Sequence, residues 1–281
     1  MRVDKAPARP GGPGLVIDDV SLLGAGGVAE LDHVSLEVAR GEILAVAGVQ
    51  GNGQTELAET ILGLRIPNSG TITLAGADIT RAKPRKSLDA GLGFIPEDRS
   101  TDGIISSFSI ADNLVLDQFD SGEFALGPSR RLGAVARNAR EKQEEYDIRL
   151  TSIDDPVSSL SGGNQQKVVV AREMSRDLTV LVANQPTRGV DVGSIEFIHR
   201  RIVDVRDQGC AVLLISSELD EVVALADRIA VMYRGRVVGI VPPHTSRDVL
   251  GLMMAGVPVD EAVAASCGSA QERGTAGKEE R

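Results

Sequence analysis

The sequence lacks any apolar run that approaches the roughly 20 residues needed to cross a bilayer. It has no tryptophan and two cysteines, Cys210 beside an apolar run and Cys267 in a polar segment, which predicts no structural disulfide and a reducing environment. The opening residues, MRVDKAPARPGGPG, contain no apolar core, so we expect no secretory signal. The net charge of -10 argues against the basic face that nucleic-acid binding requires. Any membrane role must therefore come through a partner.

What the sequence does contain is typical of one buried core. Of its 281 residues, 42% are hydrophobic, which is enough for a single domain with a small appended lobe. Five short apolar runs have little polar alternation, as strands buried on both faces do: EILAVAG, GLGFI, LTVLVA, AVLLISS and RIAVMY. Helical patterns separate several of them, which predicts an α/β fold with a mostly parallel sheet.

Two smaller units accompany that sheet. The β-rich runs LVIDDVSLL and GTITLAG predict a small antiparallel lobe at its edge. Helical patterns replace strand patterns at about 98–160, which predicts an inserted helical lobe. We expect a linker at 1–14, a nucleotide-binding domain at 15–256 and a flexible tail at 257–281, because the two ends are rich in small and polar residues.

One glycine-rich segment has the frame of a phosphate-binding loop, G-x-x-x-x-G-K-[ST], but Gln54 occupies the lysine position. The segment follows the strand EILAVAG and precedes the predicted helix QTELAETILGL. Backbone amides and a helix N-terminus together form an anion site in that setting. The candidate nucleotide-binding residues are Gly48, Gly51, Asn52, Gly53, Gln54 and Thr55.

Two later segments support this interpretation. LSGGNQQKVVVAREM places Ser161, Gly162 and Gly163 in front of a predicted helix, followed by Asn164 and Gln165. LTVLVANQPTRGVD is an apolar strand that ends in polar residues, the position where phosphate-loop ATPases carry acidic residues.

The order GxxGNGQT, GFIPEDR, LSGGNQQ, QPTRGVD and ISSELDE resembles the ATP-binding-cassette (ABC) ATPases. More narrowly, it resembles the second, C-terminal cassette of the fused two-cassette subunits that drive bacterial importers of simple sugars and nucleosides. The resemblance covers Leu15 to about Gly256, and GNGQTEL and QPTRGVDVGSIEFIH are most similar to the nucleoside branch. It implies a P-loop NTPase fold, with ATP and Mg²⁺ as ligands.

The sequence departs from this family at its charged positions. Gln54 stands where a lysine contacts the β- and γ-phosphates. Asn184 stands where an aspartate holds Mg²⁺ through water, and Gln185 where a glutamate activates the attacking water. The changes at Asn184 and Gln185 keep the shape of the side chain and remove its charge, and the change at Gln54 removes a positive charge. We therefore expect an impaired catalytic site and weak binding of ATP and Mg²⁺.

Other departures lie nearby. Glu97 replaces the glutamine usually found opposite the γ-phosphate, and Ser216 or Ser217 occupies the region of the switch histidine. No aromatic residue precedes Phe94, so the adenine-stacking ring is missing. Thr55 is the one metal ligand that remains, and it is a weak one. His33, His199 and His244 are scattered, which favours surface or packing roles over a metal cluster.

The signature segment, in contrast, keeps its serine and both glycines. In this family two cassettes close head to tail, and each signature serves the nucleotide on the opposite cassette. The resemblance thus implies that Ser161 and its helix clamp the γ-phosphate of a partner site. The implied partners are an N-terminal cassette, on the same or another polypeptide, and transmembrane permease subunits that hold the protein at the cytoplasmic face of the membrane. Two alternatives stay open: a self-sufficient ATPase with Glu97 or Asp98 as base, and a nucleotide-sensing regulatory module.

Overall fold

The computed structural model describes residues 5–266. Its strands are β1 (Pro13–Leu23), β2 (Ala29–Ala39), β3 (Ile43–Ala47), β4 (Ser69–Leu74), β5 (Ala77–Asp78), β6 (Leu92–Ile95), β7 (Ala125–Leu126), β8 (Ser129–Arg130), β9 (Val180–Asn184), β10 (Ala211–Ser216), β11 (Arg228–Tyr233) and β12 (Arg236–Val241). Its helices are α1 (Gln54–Leu62), α2 (Pro84–Asp89), α3 (Ile110–Asn113), α4 (Leu132–Glu145), α5 (Gly162–Glu173), α6 (Val192–Asp207), α7 (Leu219–Leu225) and α8 (Arg247–Met254).

The central sheet has the strand order β12–β11–β3–β10–β9–β6. All its strands except β12 are parallel, and they are the five apolar runs of the sequence, so the predicted α/β fold with a mostly parallel sheet is confirmed. Val212 of β10 pairs with Ile43 on one side and with Leu181 on the other. Because parallel strands end at the same edge of a sheet, the segments after β3, β6, β9 and β10 meet there.

Alternation along each strand divides the core between the two faces of this sheet. On β3, Ile43 and Ala45 belong to the core that includes helices α5, α6 and α7. Leu44 and Val46 belong to the core that includes α1 and the antiparallel strands. This two-sided burial explains why the strands contain almost no polar residues.

The predicted antiparallel lobe is a sheet in the order β2–β1–β4–β5. The runs LVIDDVSLL and GTITLAG form β1 and β4, but sequence reasoning did not identify β2 or β12. Buried and exposed residues alternate along much of β2, because one of its faces packs on the core while the other is open to solvent.

The predicted helical lobe at about 98–160 contains α3 and α4, together with a small hairpin of β7 and β8. Within the run SIADNLVLDQF of this lobe, only Ile110–Asn113 is helical. Ser109 caps this short helix by accepting from the Asp112 amide at 3.0 Å. Turns follow it directly. The lobe thus joins the segment after β6 to the segment before α5.

Residues near both ends of the described chain contact the rest of the fold. Within the predicted linker, Lys5 Nζ donates to the carbonyls of Leu225 and Ala226 and to Asp227, at 2.6 to 2.7 Å. In the predicted tail, residues 259–266 are helical and Ala262 is fully buried. Ala262 belongs to the core that includes α5, α6 and α7, and the flexible tail from residue 257 stays a prediction. The remainder, 267–281, lies outside the described residues.

The described residues also bear on the predictions about the cysteines and about membrane-spanning segments. Cys210 is a free, buried thiol whose pKa burial raises to about 12, and Cys267 lies outside the described residues. Between residues 5 and 266, no helix is both long and apolar enough to span a bilayer.

Candidate functional site

The phosphate loop connects the end of β3 to the first turn of α1. Gly51 and Gly53 have φ angles of 87° and 98°, in the left-handed region that glycine adopts without strain. Backbone N–H groups at the start of α1 have no partner four residues back in the helix, so they suit an anion. The loop therefore keeps the architecture that its glycines predict.

Two side chains of the loop are engaged within the fold. The Gln54 side chain is 3% exposed, and its Nε2 donates to the Val46 carbonyl at 3.2 Å. Asn52 donates to the Val49 carbonyl at 3.0 Å, and its Oδ1 accepts from the Arg234 amide at 2.9 Å. Gln54, at the lysine position, thus holds the loop against the preceding strand.

Glu97, just after β6, lies opposite this loop. Its Oε2 accepts from the Thr55 hydroxyl at 2.9 Å, and its Oε1 accepts from Gln50 Nε2 at 2.8 Å. Arg188 Nη1 also donates to Oε1. The side chain of Glu97 is only 16% exposed, whereas that of Arg188 is 55% exposed. The hydroxyl that sequence reasoning assigned to Mg²⁺ is therefore bonded to a carboxylate.

The strand ends beside the loop carry amides and hydroxyls. Asn184 ends β9 and is 3% exposed. Gln185 follows with φ 49°, and its side-chain amide and Ser217 exchange hydrogen bonds of 3.2 and 3.3 Å. Ser216 is fully buried in β10, where its hydroxyl accepts from the Glu218 amide. Of the two candidate serines at the switch position, the one that contacts the site is Ser217.

The signature segment begins α5 at a different corner. Ser161 is exposed and caps the helix, since its hydroxyl accepts from the Asn164 amide nitrogens at 3.0 Å (side chain) and 3.5 Å (backbone). Asn164 Oδ1 accepts from the Arg149 amide at 2.8 Å, and Gln165 Nε2 donates to the Leu160 carbonyl at 3.1 Å. The serine and the helix N-terminus are thus held in place at the surface.

Gly163 is buried because it packs against the start of α6. A Cβ atom at this position would overlap the Asp191 carboxylate and the Ser194 hydroxyl. Asp191 caps α6 by accepting from the Ser194 hydroxyl at 2.8 Å and from its amide at 3.0 Å. The hydrogen bond from the Ser194 hydroxyl has the larger effect and that from the Ser194 amide the smaller, and together they hold the pKa of Asp191 below its usual range. The absence of a side chain at Gly163 therefore lets two helix N-termini approach each other.

These segments, in this order on this fold, correspond to a known family. The family described as ABC transporter matches residues 31–188, more than half of the chain. The chain belongs to the ABC transporter family. Guanosine import ATP-binding protein NupO of Bacillus subtilis is 43% identical over 93% of this chain and 52% of its own length. Nucleoside import ATP-binding protein NupA of Lactococcus lactis is 42% identical over 92% of this chain and 51% of its own length. The cassette thus spans about half the length of the curated relatives it matches.

Other comparisons agree with the family. Ribose import ATP-binding protein RbsA 2 of Rubrobacter xylanophilus is 42% identical over 82% of this chain and 44% of its own length. Among solved structures, the dimeric cassette MJ0796 has a TM-score of 0.71 at 18% identity, covering 83% of this chain and all of that one. The cassette MJ1267 has a TM-score of 0.73 at 21% identity, over 89% of this chain and 98% of that one. At such identities these structures show the fold alone, which is the ABC ATPase fold.

Sequence reasoning missed one cluster of this ABC cassette. Glu221 Oε1, on α7, accepts from the Thr187 hydroxyl at 2.7 Å and lies 2.9 Å from His199 Nε2. The three side chains line a cavity of about 590 Å³ that also reaches Glu97 and Gln185. His199 is 3% exposed and forms part of the cavity wall. Thr187 and Glu221 are 34 positions apart, and no local signal in the sequence indicated that they meet.

Proposed function

We propose that this ABC cassette is catalytically degenerate and supplies its signature segment to the ATP site of a partner cassette in an importer. The observation that carries this proposal is that Gln54, Asn184 and Gln185 have uncharged amides. They stand where the family has the lysine that contacts phosphate, the aspartate that holds Mg²⁺ and the glutamate that activates water. Two of these amides are already bonded within the fold, Gln54 to Val46 and Gln185 to Ser217. The partner cassette therefore performs the hydrolysis, and this one completes its site.

The missing groups account for the loss of turnover. An amide has no useful basicity, and removal of a general base typically costs about 10²–10⁴-fold in rate. The substitution at the lysine position loses a charge-assisted contact of roughly 1.5–3 kcal/mol. Weak binding of ATP follows from that loss.

Neither alternative base is well suited. The Asp98 carboxylate accepts from the backbone amides of Ser100 and Thr101, which hold its pKa below the usual range and make it a weaker base. Glu97 is paired with the Arg188 cation. These contacts support the degenerate cassette over the self-sufficient ATPase.

The residues present fit Mg²⁺ poorly. Thr55 Oγ1 and Glu97 Oε2 would be the nearest oxygen ligands, but they are bonded to each other, and Arg188 brings a positive charge to the same carboxylate. Asn184 offers no charge to a water ligand of the metal. A cation that enters with the nucleotide would be held mainly by the phosphates.

The signature segment has what a partner's phosphate requires. Ser161 is exposed, and α5 is 12 residues long, so its N-terminus carries the positive end of a helix dipole. A γ-phosphate docked there would meet the serine hydroxyl and the first amides of the helix. We therefore assign the contribution to transport to Ser161, Gly162 and Gly163 and the flanking Asn164 and Gln165.

The relatives suggest the cargo and the partners. NupO, NupA and RbsA 2 are named for the import of guanosine, nucleosides and ribose. We propose that this cassette, at residues 15–256, is the second of a pair and works with an N-terminal cassette on the same or another polypeptide. Transmembrane permease subunits would hold it at the cytoplasmic face of the membrane. A nucleoside or a simple sugar is the proposed solute.

The test is a steady-state assay of ATP turnover by the purified chain, with calorimetric titration of Mg-ATP. We expect weak binding and no turnover, and we expect the same of Gln185→Glu, because that variant restores one of three missing groups. ATP turnover of about one per second that copurifies with the chain would contradict the proposal. Thr55→Ala serves as the control, since turnover that comes from a contaminant would be unchanged by this variant.

A further inference from the structure

The contacts of Glu97 form an anion-binding arrangement that is already filled. Three donors from three separate segments converge on its carboxylate: the Gln50 amide in the phosphate loop, the Thr55 hydroxyl in α1 and the Arg188 guanidinium after β9. Amide, hydroxyl and guanidinium groups are the side-chain donors that proteins direct at phosphate oxygens. In this cassette they are directed at the protein's own carboxylate.

The position of this carboxylate adds to the argument. Thr55 is the second residue of α1, so Glu97 lies at the helix N-terminus where the loop would receive the phosphates of a nucleotide. With 16% of its side chain exposed, Glu97 is partly shielded from water and from the salt that would screen its charge. A phosphate at the same place would compete for the same donors and meet a negative charge.

We infer that Glu97 is an intramolecular substitute for a terminal phosphate, so that this cassette's own site selects a nucleoside diphosphate over a triphosphate. The inference rests on the proposed function, because a site that binds and hydrolyses ATP needs this position free. The loop glycines and the start of α1 remain available to two phosphates. A third phosphate must displace Glu97 from Thr55 and Gln50 or be excluded by it.

A cation between Thr55 and Glu97 is the competing interpretation of the same geometry. Arg188 opposes it, because its guanidinium contacts the carboxylate that would hold the metal. In residues 5–266, moreover, no group of three or more His, Cys, Asp or Glu side chains is placed to hold a metal ion. The two interpretations differ in their dependence on Mg²⁺, so the experiment includes both conditions.

The test is calorimetric titration of the purified chain with ADP and with a non-hydrolysable ATP analogue, each with Mg²⁺ and with EDTA. Repulsion between like charges a few ångströms apart near a protein surface is sufficient for at least about a tenfold change in affinity. We expect the wild-type chain to bind ADP about tenfold more tightly than the analogue, in either condition. Glu97→Gln keeps the shape and removes the charge, and should abolish that preference by tightening the analogue. Glu97→Asp keeps the charge and should keep the preference.

The control is Glu196→Gln, which removes an exposed carboxylate on α6 that pairs with Arg200 and should leave both affinities unchanged. Equal affinities for the two nucleotides in wild type, an unchanged preference in Glu97→Gln, or analogue binding that is tighter than ADP binding only with Mg²⁺ would each overturn the inference. These results differ from a failure of the proposed function, which would appear as turnover. Thermal melting of each variant confirms that it is folded.

Discussion

The phosphate loop and the signature segment are both glycine-containing turns that lead into a helix, yet their polar groups are used differently. In the loop region, the side chains of Gln54, Thr55 and Glu97 are bonded within the chain. At the signature, Ser161 stays at the surface as the N-cap of α5. The comparison teaches that a phosphate-loop backbone can persist while its side chains are bonded into the fold, whereas the signature serine stays at the surface.

The glycines of the two regions offer the largest expected effect on stability. Gly163→Ala should lower the free energy of unfolding by about 2 kcal/mol, because the new methyl group overlaps the Asp191 carboxylate and the Ser194 hydroxyl. Gly51→Ala, the matched change in the loop, has nothing within 4 Å and suffers only from its φ of +87°, at a cost of about 1 kcal/mol. Urea denaturation of both variants measures the difference.

A larger loss for Gly51→Ala would show that the packing of Gly163 against α6 does not constrain the signature. The same overlap makes substitutions at Gly163 poor probes of phosphate binding, since they disturb the chain's own fold. Ser161 is the cleaner position, because it is exposed.

A smaller effect concerns the pH dependence of the corner beside the signature. The lowered pKa of Asp191 means that its charge stabilises the fold above the ordinary aspartate pKa of about 3.9, and that this contribution is lost as the pH falls through the lowered value. Asp191→Asn keeps a capping side chain without the charge. We expect wild type and variant to differ in unfolding free energy at neutral pH. The difference should shrink as the pH falls from about 4 through the lowered pKa of Asp191. Urea denaturation across this range is the measurement, and parallel curves would contradict the assignment.

The sequence predicted the parts of the molecule that depend on local pattern. Strands β3, β9 and β10 were identifiable because both of their faces are buried, which leaves no polar position. The loop and the signature were identifiable because a strand, a glycine turn and a helix follow one another directly. β2 was not predicted because its exposed face interrupts the apolar run. β12 was not predicted because it is an edge strand with half-exposed residues.

The contacts that close the site could not be predicted in the same way. Glu97 and Arg188 are 91 positions apart, and Thr187 and Glu221 are 34 apart. Such pairs form only when the sheet brings the carboxyl ends of different strands to one edge. The local periodicity of the sequence does not indicate which distant residue will be the partner. The direction of the Gln54 side chain could not be predicted either, because a glutamine at this position could face a phosphate or the Val46 carbonyl.

The most direct test of the central claim is ATP-driven uptake by the assembled transporter in reconstituted vesicles, with Ser161→Asp and Gln54→Ala compared at equal expression and the partner cassette unaltered. Aspartate is as good a helix cap as serine, so Ser161→Asp should fold, but on our proposal its charge would face the partner's γ-phosphate. We predict that Ser161→Asp nearly abolishes uptake and that Gln54→Ala keeps most of it. Equal losses, or a greater loss for Gln54→Ala, would show that this cassette's own phosphate site is the working one.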